Sequence, residues 1–269
     1  MTEAKERPIL ALDTSTAALA AAITIGENTI AEIQSMAERN HSVHIIVHLK
    51  ALLEQAGLKG EELGAIAVGR GPGSYTGMRI AVAAAKTLAW AWNKPLIGVS
   101  SLEAIAFGAI QHKHPASAGN ADAELEGGEE WVLPIMDARR GQVYTGGFAL
   151  SAGGWSRFEP DGVRLMRDWV DRIVELSNTA GAVPKRIWLA GELSLHEEEA
   201  ARLKQLCESR GIETTPLPYE LEGRWVAQLG RRRMLNGETD ETHTFTPNYT
   251  QLTEAEVKLK AKLAGEAER

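Results

Sequence analysis

Two short segments hold the residue types that handle phosphate. Asp13-Thr14-Ser15-Thr16 closes an apolar run, Ile9 to Leu12, and sets a carboxylate beside a row of hydroxyls. Such a carboxylate can hold Mg²⁺ through water, or it can accept hydrogen bonds from its own turn. The second segment is Gly69-Arg70-Gly71-Pro72-Gly73-Ser74-Tyr75-Thr76-Gly77, which lies between a predicted strand and a predicted helix. Glycines there permit positive φ and close backbone approach. A strand-to-helix turn also aims N–H groups and a helix N-terminus outward, as an anion cradle requires. No Lys-Ser or Lys-Thr pair follows the glycines, and no ribose-binding acid follows in the dinucleotide spacing, so neither common nucleotide loop is present. The alternative is a tight turn that seats the helix behind it.

Other groups of residues invite weaker readings. His44 and His48 lie one turn apart on a predicted helix with His41 just before it, but no Glu follows His44 as a zinc-peptidase HExxH motif needs. They read as a polar stripe, and no metal is expected. His112 and His114 fall in a predicted loop. Cys207 is the one cysteine, which excludes an intrachain disulfide and fits a reducing compartment. It has no motif partner that would make it a nucleophile. Asp137, Arg139 and Arg140 sit on a hairpin that either faces a cleft or is a charged tip. Arg231-Arg232-Arg233 with Arg224 is the densest basic cluster. At a helix end it complements the dipole, with a nucleic-acid backbone contact as the minority reading.

The elements that must position these residues follow from hydrophobic pattern. Ile9–Leu12, Leu19–Ile25 and Thr29–Ile33 predict three strands in a meander. Val43 to Ala56 predicts a helix with Ser42 as N-cap and Gly57 after its end. Leu63 to Val68 and Leu96 to Val99 predict strands, and Thr76–Trp92 and Ser101–Ile110 predict helices. The Thr76–Trp92 helix is apolar almost all round, with Arg79 and Lys86 on one face. It is either a central core helix or one that covers its sheet on one side and a partner on the other. The stretch 112–130, rich in Ala, Gly, Glu and Asp, predicts a mobile loop. Strands are predicted at Trp131–Met136, Gln142–Leu150 and Arg186–Ala190, and helices at Leu195–Glu208 and Arg224–Leu235, before a charged tail.

The chain of 269 residues suits one large or two medium domains. Its net charge of −7 means that the chain as a whole is no electrostatic trap for nucleic acid. No apolar stretch is long enough to span a bilayer, and Met1 to Arg7 lacks a signal peptide's apolar core, so the cytoplasm is expected.

Three segments in order resemble the TsaB (YeaZ-type) family: Ile9-Leu10-Ala11-Leu12-Asp13-Thr14-Ser15-Thr16, then His41-Ser42 opening a helix that closes on Gln55-Ala56-Gly57-Leu58, then the glycine turn running into Met78-Arg79-Ile80. Met136-Asp137-Ala138-Arg139-Arg140-Gly141-Gln142-Val143-Tyr144 is similar to the family's second-domain signature. The match is strong over about the first half and weak after Glu192.

The resemblance implies an α/β, actin-like (ASKHA) duplicated fold of two lobes, each a mixed sheet with flanking helices. The first lobe would be 1–105 plus about 222–236, the second 106–221, and the tail 237–269. It also implies a non-catalytic scaffold in tRNA threonylcarbamoyladenosine synthesis. The chain would dock a TsaD-like transferase and, with it, a TsaE-like ATPase, touching tRNA only through the complex, and would form a homodimer when alone. The implied interface is Val43, Ile46, Val47, Leu49 and Leu53 on one helix, with Met78, Val82, Ala85 and Ala89 on the next. Asp13, Thr14, Ser15, Gly71, Gly73 and Ser74 would be a vestigial phosphate site: the fold's phosphate-hairpin glycine is missing here. Glu192 stands where the fold's adenosine-side Gly-Gly pair would fall, and its charge repels phosphate. No catalytic residue or cofactor is expected, save ATP or ADP at a partner interface. The competing readings are a stand-alone phosphotransferase or metallopeptidase, and a homodimer built on the Ala-rich helix.

Overall fold

The computed structural model describes residues 7–36, 41–114, 128–179 and 183–250. The first unit opens with an antiparallel meander of β1 (Ile9–Asp13), β2 (Ala18–Ile25) and β3 (Asn28–Met36). There follow α1 (His41–Ala56), β4 (Ala65–Gly69), α2 (Tyr75–Ala91), β5 (Leu96–Val99) and α3 (Ser101–Lys113). β4 and β5 add parallel to β1, giving the order β3-β2-β1-β4-β5. The second unit is β6 (Glu130–Asp137), β7 (Gln142–Ser151), β8 (Gly154–Leu165), α4 (Met166–Thr179), β9 (Arg186–Gly191), α5 (Glu197–Glu208), β10 (Glu213–Pro218) and α6 (Gly223–Leu235). Its sheet runs β8-β7-β6-β9-β10 with the same sequence of antiparallel and parallel pairings. One topology used twice, with a helix after the third, fourth and fifth strand each time, is the duplicated actin-like architecture.

Strand periodicity sorts the core. On β1 and β4, Leu10, Leu12, Ile66 and Val68 point to the face covered by α1 and α2. Their alternates Ile9, Ala11, Ala65 and Ala67 point to the opposite face. Both faces are covered, so these strands read as unbroken apolar runs. The second face is covered by α6, the last helix of the other unit, while α3, the last helix of the first unit, packs on β6, β7 and β9. Small residues make this exchange fit: a Cβ on Gly230 would stand 2.6 Å from that of Ala67.

Several expectations are corrected. β8, α4 and β10 were not foreseen. α3 runs on to Lys113 and β6 starts at Glu130, so both ends of the expected 112–130 loop are regular structure; 115–127 lies outside the described residues. A lobe boundary between 105 and 106 would cut α3, which packs as one helix on the second sheet. Residues 237–250, assigned to the tail, pack back on the first unit. Asp240 bridges to Leu96, Phe245 is buried, and Lys86 Nζ donates to the carbonyls of His243 and Phe245 at 3.0 and 2.9 Å. The tail from 251 lies outside the described residues.

Candidate functional site

The two phosphate-type segments meet where β1, β4 and β5 end. Asp13 is buried there, and both of its oxygens are in use. Oδ1 accepts from the Ser15 backbone N–H at 2.6 Å, and Oδ2 accepts from the Ser101 hydroxyl at 2.5 Å. Burial holds this carboxyl above its ordinary range, while the bonds from Ser101 and Ser15 pull it back. Ser101 Oγ in turn accepts from Gly71 N–H at 3.0 Å, and Ser101 N–H donates to Gly71 O. The Ser74 N–H donates to Ser15 O at 2.7 Å, and the Thr14 hydroxyl donates to Gly77 O at 2.6 Å. Ser74 Oγ caps α2 by accepting from Gly77 N–H. The approach is so close that a Cβ on Gly77 would lie 1.8 Å from Thr14 O. The structure therefore brings Asp13, Thr14, Ser15, Gly71, Gly73 and Ser74 together, but their donors and acceptors are largely spent on one another. Ser101 is the partner that sequence reasoning missed. It was seen only as the start of a helix, and its distance along the chain gives no local signal.

Next to this knot opens a cleft of about 1480 Å³ between the two units, lined by Thr14–Ala18, Gly73–Gly77, Asp137–Arg139, Gly191–Ser194 and parts of α5 and β10. Its charged lining is mainly acidic, with Asp137, Glu192, Glu197 and Glu220 against Arg139 and Lys204. Asp137 Oδ1 lies 3.1 Å from Nε2 of buried His196, a second residue that sequence reasoning passed over. Burial pushes the Tyr144 phenol up, with Arg139 drawing it back. The β6–β7 hairpin holds Arg139 and Arg140 at φ of 64° and 55°. Left-handed backbone costs a non-glycine residue about 1 kcal/mol, and the turn is locked by Ala138 N–H to Gln142 O, Gln142 N–H to Arg139 O and Met166 N–H to Gly141 O.

The expected interface set divides. Ile46 and Val47 are 53% and 62% exposed on α1, and Leu53 is half-buried. Leu49, Met78, Val82, Ala85 and Ala89 are buried in the chain's own core, so they cannot touch a partner. Alanine at every turn hid which face of α2 turns inward. The outward stripe is Thr76, Arg79, Ala83, Thr87 and Trp90, with Trp90 70% exposed. The side chains of Val43, His41 and His44 lie outside those described.

Three of the four arginines of the basic cluster on α6 are engaged within the fold. Arg224 pairs with Glu32, the Arg232 guanidinium lies 4.4 Å from the Phe107 ring centroid, and Arg233 pairs with Glu238 at 3.0 Å. Cys207 is buried, which pushes its thiol up. Among the described residues no cluster of His, Cys, Asp and Glu is placed to hold a metal ion, and no helix is long and apolar enough to cross a membrane.

Comparison with known proteins agrees with this architecture. Residues 25–185 match the family model described as TsaD, tRNA N6-adenosine threonylcarbamoyltransferase. The tRNA threonylcarbamoyladenosine biosynthesis protein TsaB of Bacillus subtilis (strain 168) is 32% identical over 250 residues, covering 93% of this chain and 96% of that protein. The protein of the same name from Escherichia coli (strain K12) is 32% identical over 170 residues, 63% of this chain and 67% of that one. The solved structure of YeaZ from Pseudomonas aeruginosa superposes with a TM-score of 0.64 at 23% identity, over 90% of this chain and 99% of that one. Near-complete coverage of the Bacillus relative, on a fold shared with YeaZ, settles the lineage: the chain belongs to the TsaB family of tRNA threonylcarbamoyladenosine biosynthesis proteins.

Proposed function

We propose that this chain is a non-catalytic subunit that docks and activates a TsaD-like transferase through the exposed faces of α1 and α2. The observation that carries the reading is a contrast. The Asp13 carboxylate spends both oxygens inside the chain, whereas Ile46, Val47 and Trp90 stand exposed on neighbouring helices. Exposed apolar groups of that size on one surface mark an interaction site. The match to the transferase family model supports it further, because two related chains can pair like helix with like helix, much as a symmetric homodimer does. The same face would hold a homodimer when the chain is alone.

No nucleotide is assigned to the Asp13 turn. A phosphate there needs outward N–H donors, and those of Ser15, Gly71, Ser74 and Gly77 are already bonded within the chain. ATP or ADP would enter only at a partner interface. A TsaE-like ATPase joins the assembly, which works in the cytoplasm.

The test is co-purification of the tagged chain with the transferase from the same organism, followed by a modification assay with each component omitted. The expected result is a stable pair whose activity needs both chains. A transferase that ignores this chain, or that modifies tRNA equally well without it, overturns the proposal. Titration with ATP should give no heat for the chain alone; micromolar binding would restore an enzymatic reading.

A further inference from the structure

We infer that the rim of the interlobe cleft contacts single-stranded RNA. Arg139 and Arg140 would pair with backbone phosphates on one side, and Tyr75 and Tyr249 would stack on bases at the other. The inference rests on the reading that the chain works within a tRNA-modifying assembly, and it turns from the α6 cluster, where Arg224, Arg232 and Arg233 are engaged inside the fold, to a different RNA-facing group.

The first observation is the state of the two arginines. Arg157, Arg172, Arg186, Arg202, Arg224 and Arg233 each have a carboxylate partner. Among the described residues, Arg139 and Arg140 enter no ion pair and no side-chain hydrogen bond, and both are exposed. The carboxylate nearest in sequence, Asp137, is turned to His196. Their backbone conformation is one that arginine rarely adopts, yet three main-chain hydrogen bonds fix it. Two exposed guanidinium side chains, with no ion pair among the described residues, thus extend from neighbouring positions of a fixed turn, and Arg139 lines the cleft. Guanidinium forks suit phosphate oxygens.

The second observation lies on the opposite wall. Tyr75 and Arg139 line the same cleft. Tyr75 and Tyr249 are both about half exposed, with ring centroids 5.3 Å apart. The Arg79 guanidinium sits 5.2 Å from the Tyr75 ring, and its Nη1 donates to the Tyr75 hydroxyl at 2.8 Å. Exposed aromatic rings backed by arginine are platforms for unstacked bases. An acidic protein surface would use the arginines but would leave the two rings without a role, so a nucleic acid strand fits better. Glu192, Glu197 and Glu220 also line the cleft and repel phosphate. The strand is therefore confined to the rim, consistent with few contacts on a chain of net charge −7.

The test uses the full chain and a short, fluorescein-labelled, mixed-sequence single-stranded RNA, read by anisotropy over a range of salt. Wild type should bind. The double variant R139Q/R140Q should bind about tenfold or more weakly, with a salt slope flatter by roughly 1.4, the value for two phosphates on a single strand. R139K/R140K should keep the slope. Y75A/Y249A should lose about tenfold in affinity at unchanged slope. R172Q, which removes a paired surface arginine, should match wild type, and urea midpoints report folding in every case. The inference is overturned by a wild-type chain that does not bind RNA, or by R139Q/R140Q that binds with wild-type affinity and slope. Equally effective competition by polyglutamate overturns it too, by pointing to an acidic protein. A chain that docks the transferase but ignores RNA removes this inference alone, whereas one that binds RNA without docking removes only the docking proposal.

Discussion

Asp13→Ala is the sharpest test of the knot beside the cleft. The change removes one carboxylate and strands two buried donors, the Ser15 N–H at 2.6 Å and the Ser101 hydroxyl at 2.5 Å. Hydrogen bonds to a charged group are worth about 1.5–3 kcal/mol each, so the gross loss is roughly 3–6 kcal/mol. Burial works the other way. It holds the carboxyl above its ordinary 3.8, so removing the group from its buried place returns part of the loss. The expected net loss is about 3 kcal/mol. With a urea slope of about 3 kcal/mol per molar, that is a drop of roughly 1 M in the unfolding midpoint, read by tryptophan fluorescence. Asp13→Asn keeps an oxygen for Ser15 and should lose about half as much. The pH dependence has a definite sign. A carboxyl whose folded pKa is raised contributes stability that is fully present below 3.8 and is lost as pH rises through the folded value. The advantage of wild type over Asp13→Asn should therefore be largest in acid, shrink through that window and level off above it. Unchanged stability of Asp13→Ala, or an advantage that grows with pH, would refute the reasoning.

Four further outcomes follow from the same structure. Gly77→Ala places a methyl 1.8 Å from Thr14 O, a backbone atom that cannot swing aside, and should cost about 1–3 kcal/mol in urea unfolding. Arg140→Asn relieves left-handed strain and should stabilise by about 0.5–1 kcal/mol, seen as a raised urea midpoint; equal or lower stability would show that the turn is not strained. Ile46→Asp combined with Trp90→Ala should weaken transferase docking by at least about thirtyfold in a pull-down titration, with the unfolding midpoint unchanged, since both side chains are exposed. Cys207 should resist a thiol reagent in the folded chain and react fully in urea, because it is buried and its thiol is pushed up; rapid labelling without denaturant contradicts the packing.

What the sequence made legible followed the strength of local pattern. β1, β2, β4 and β5 are apolar runs bounded by turn residues, and they were read to within a residue or two. β8 was missed because it is an edge strand, half-exposed and interrupted by Pro160, so neither alternation nor a continuous run marks it. α4 follows β8 with no intervening residue and no capping hydroxyl, which removed the usual start signal. β10 carries Pro216 and Pro218, which read as loop. At the knot, the Asp–hydroxyl turn was visible, but Ser101 comes to Asp13 only through the pairing of β4 with β1 and β5. On α2 the alanines concealed which side faces the sheet, so four buried side chains of that helix, Met78, Val82, Ala85 and Ala89, were expected at an interface.

The exchange of last helices between the two sheets has a consequence for how the chain is born. The first sheet is complete in sequence at Val99, yet the helix that dries its second face, Gly223–Leu235, comes roughly 120 residues later. At about 5–20 residues per second, a ribosome leaves Ile9, Ala65, Ala67 and Ile97 uncovered for roughly 6–24 s. Throughout that interval the nascent amino-terminal half is an apolar surface without its lid, and it is then that a chaperone has something to hold.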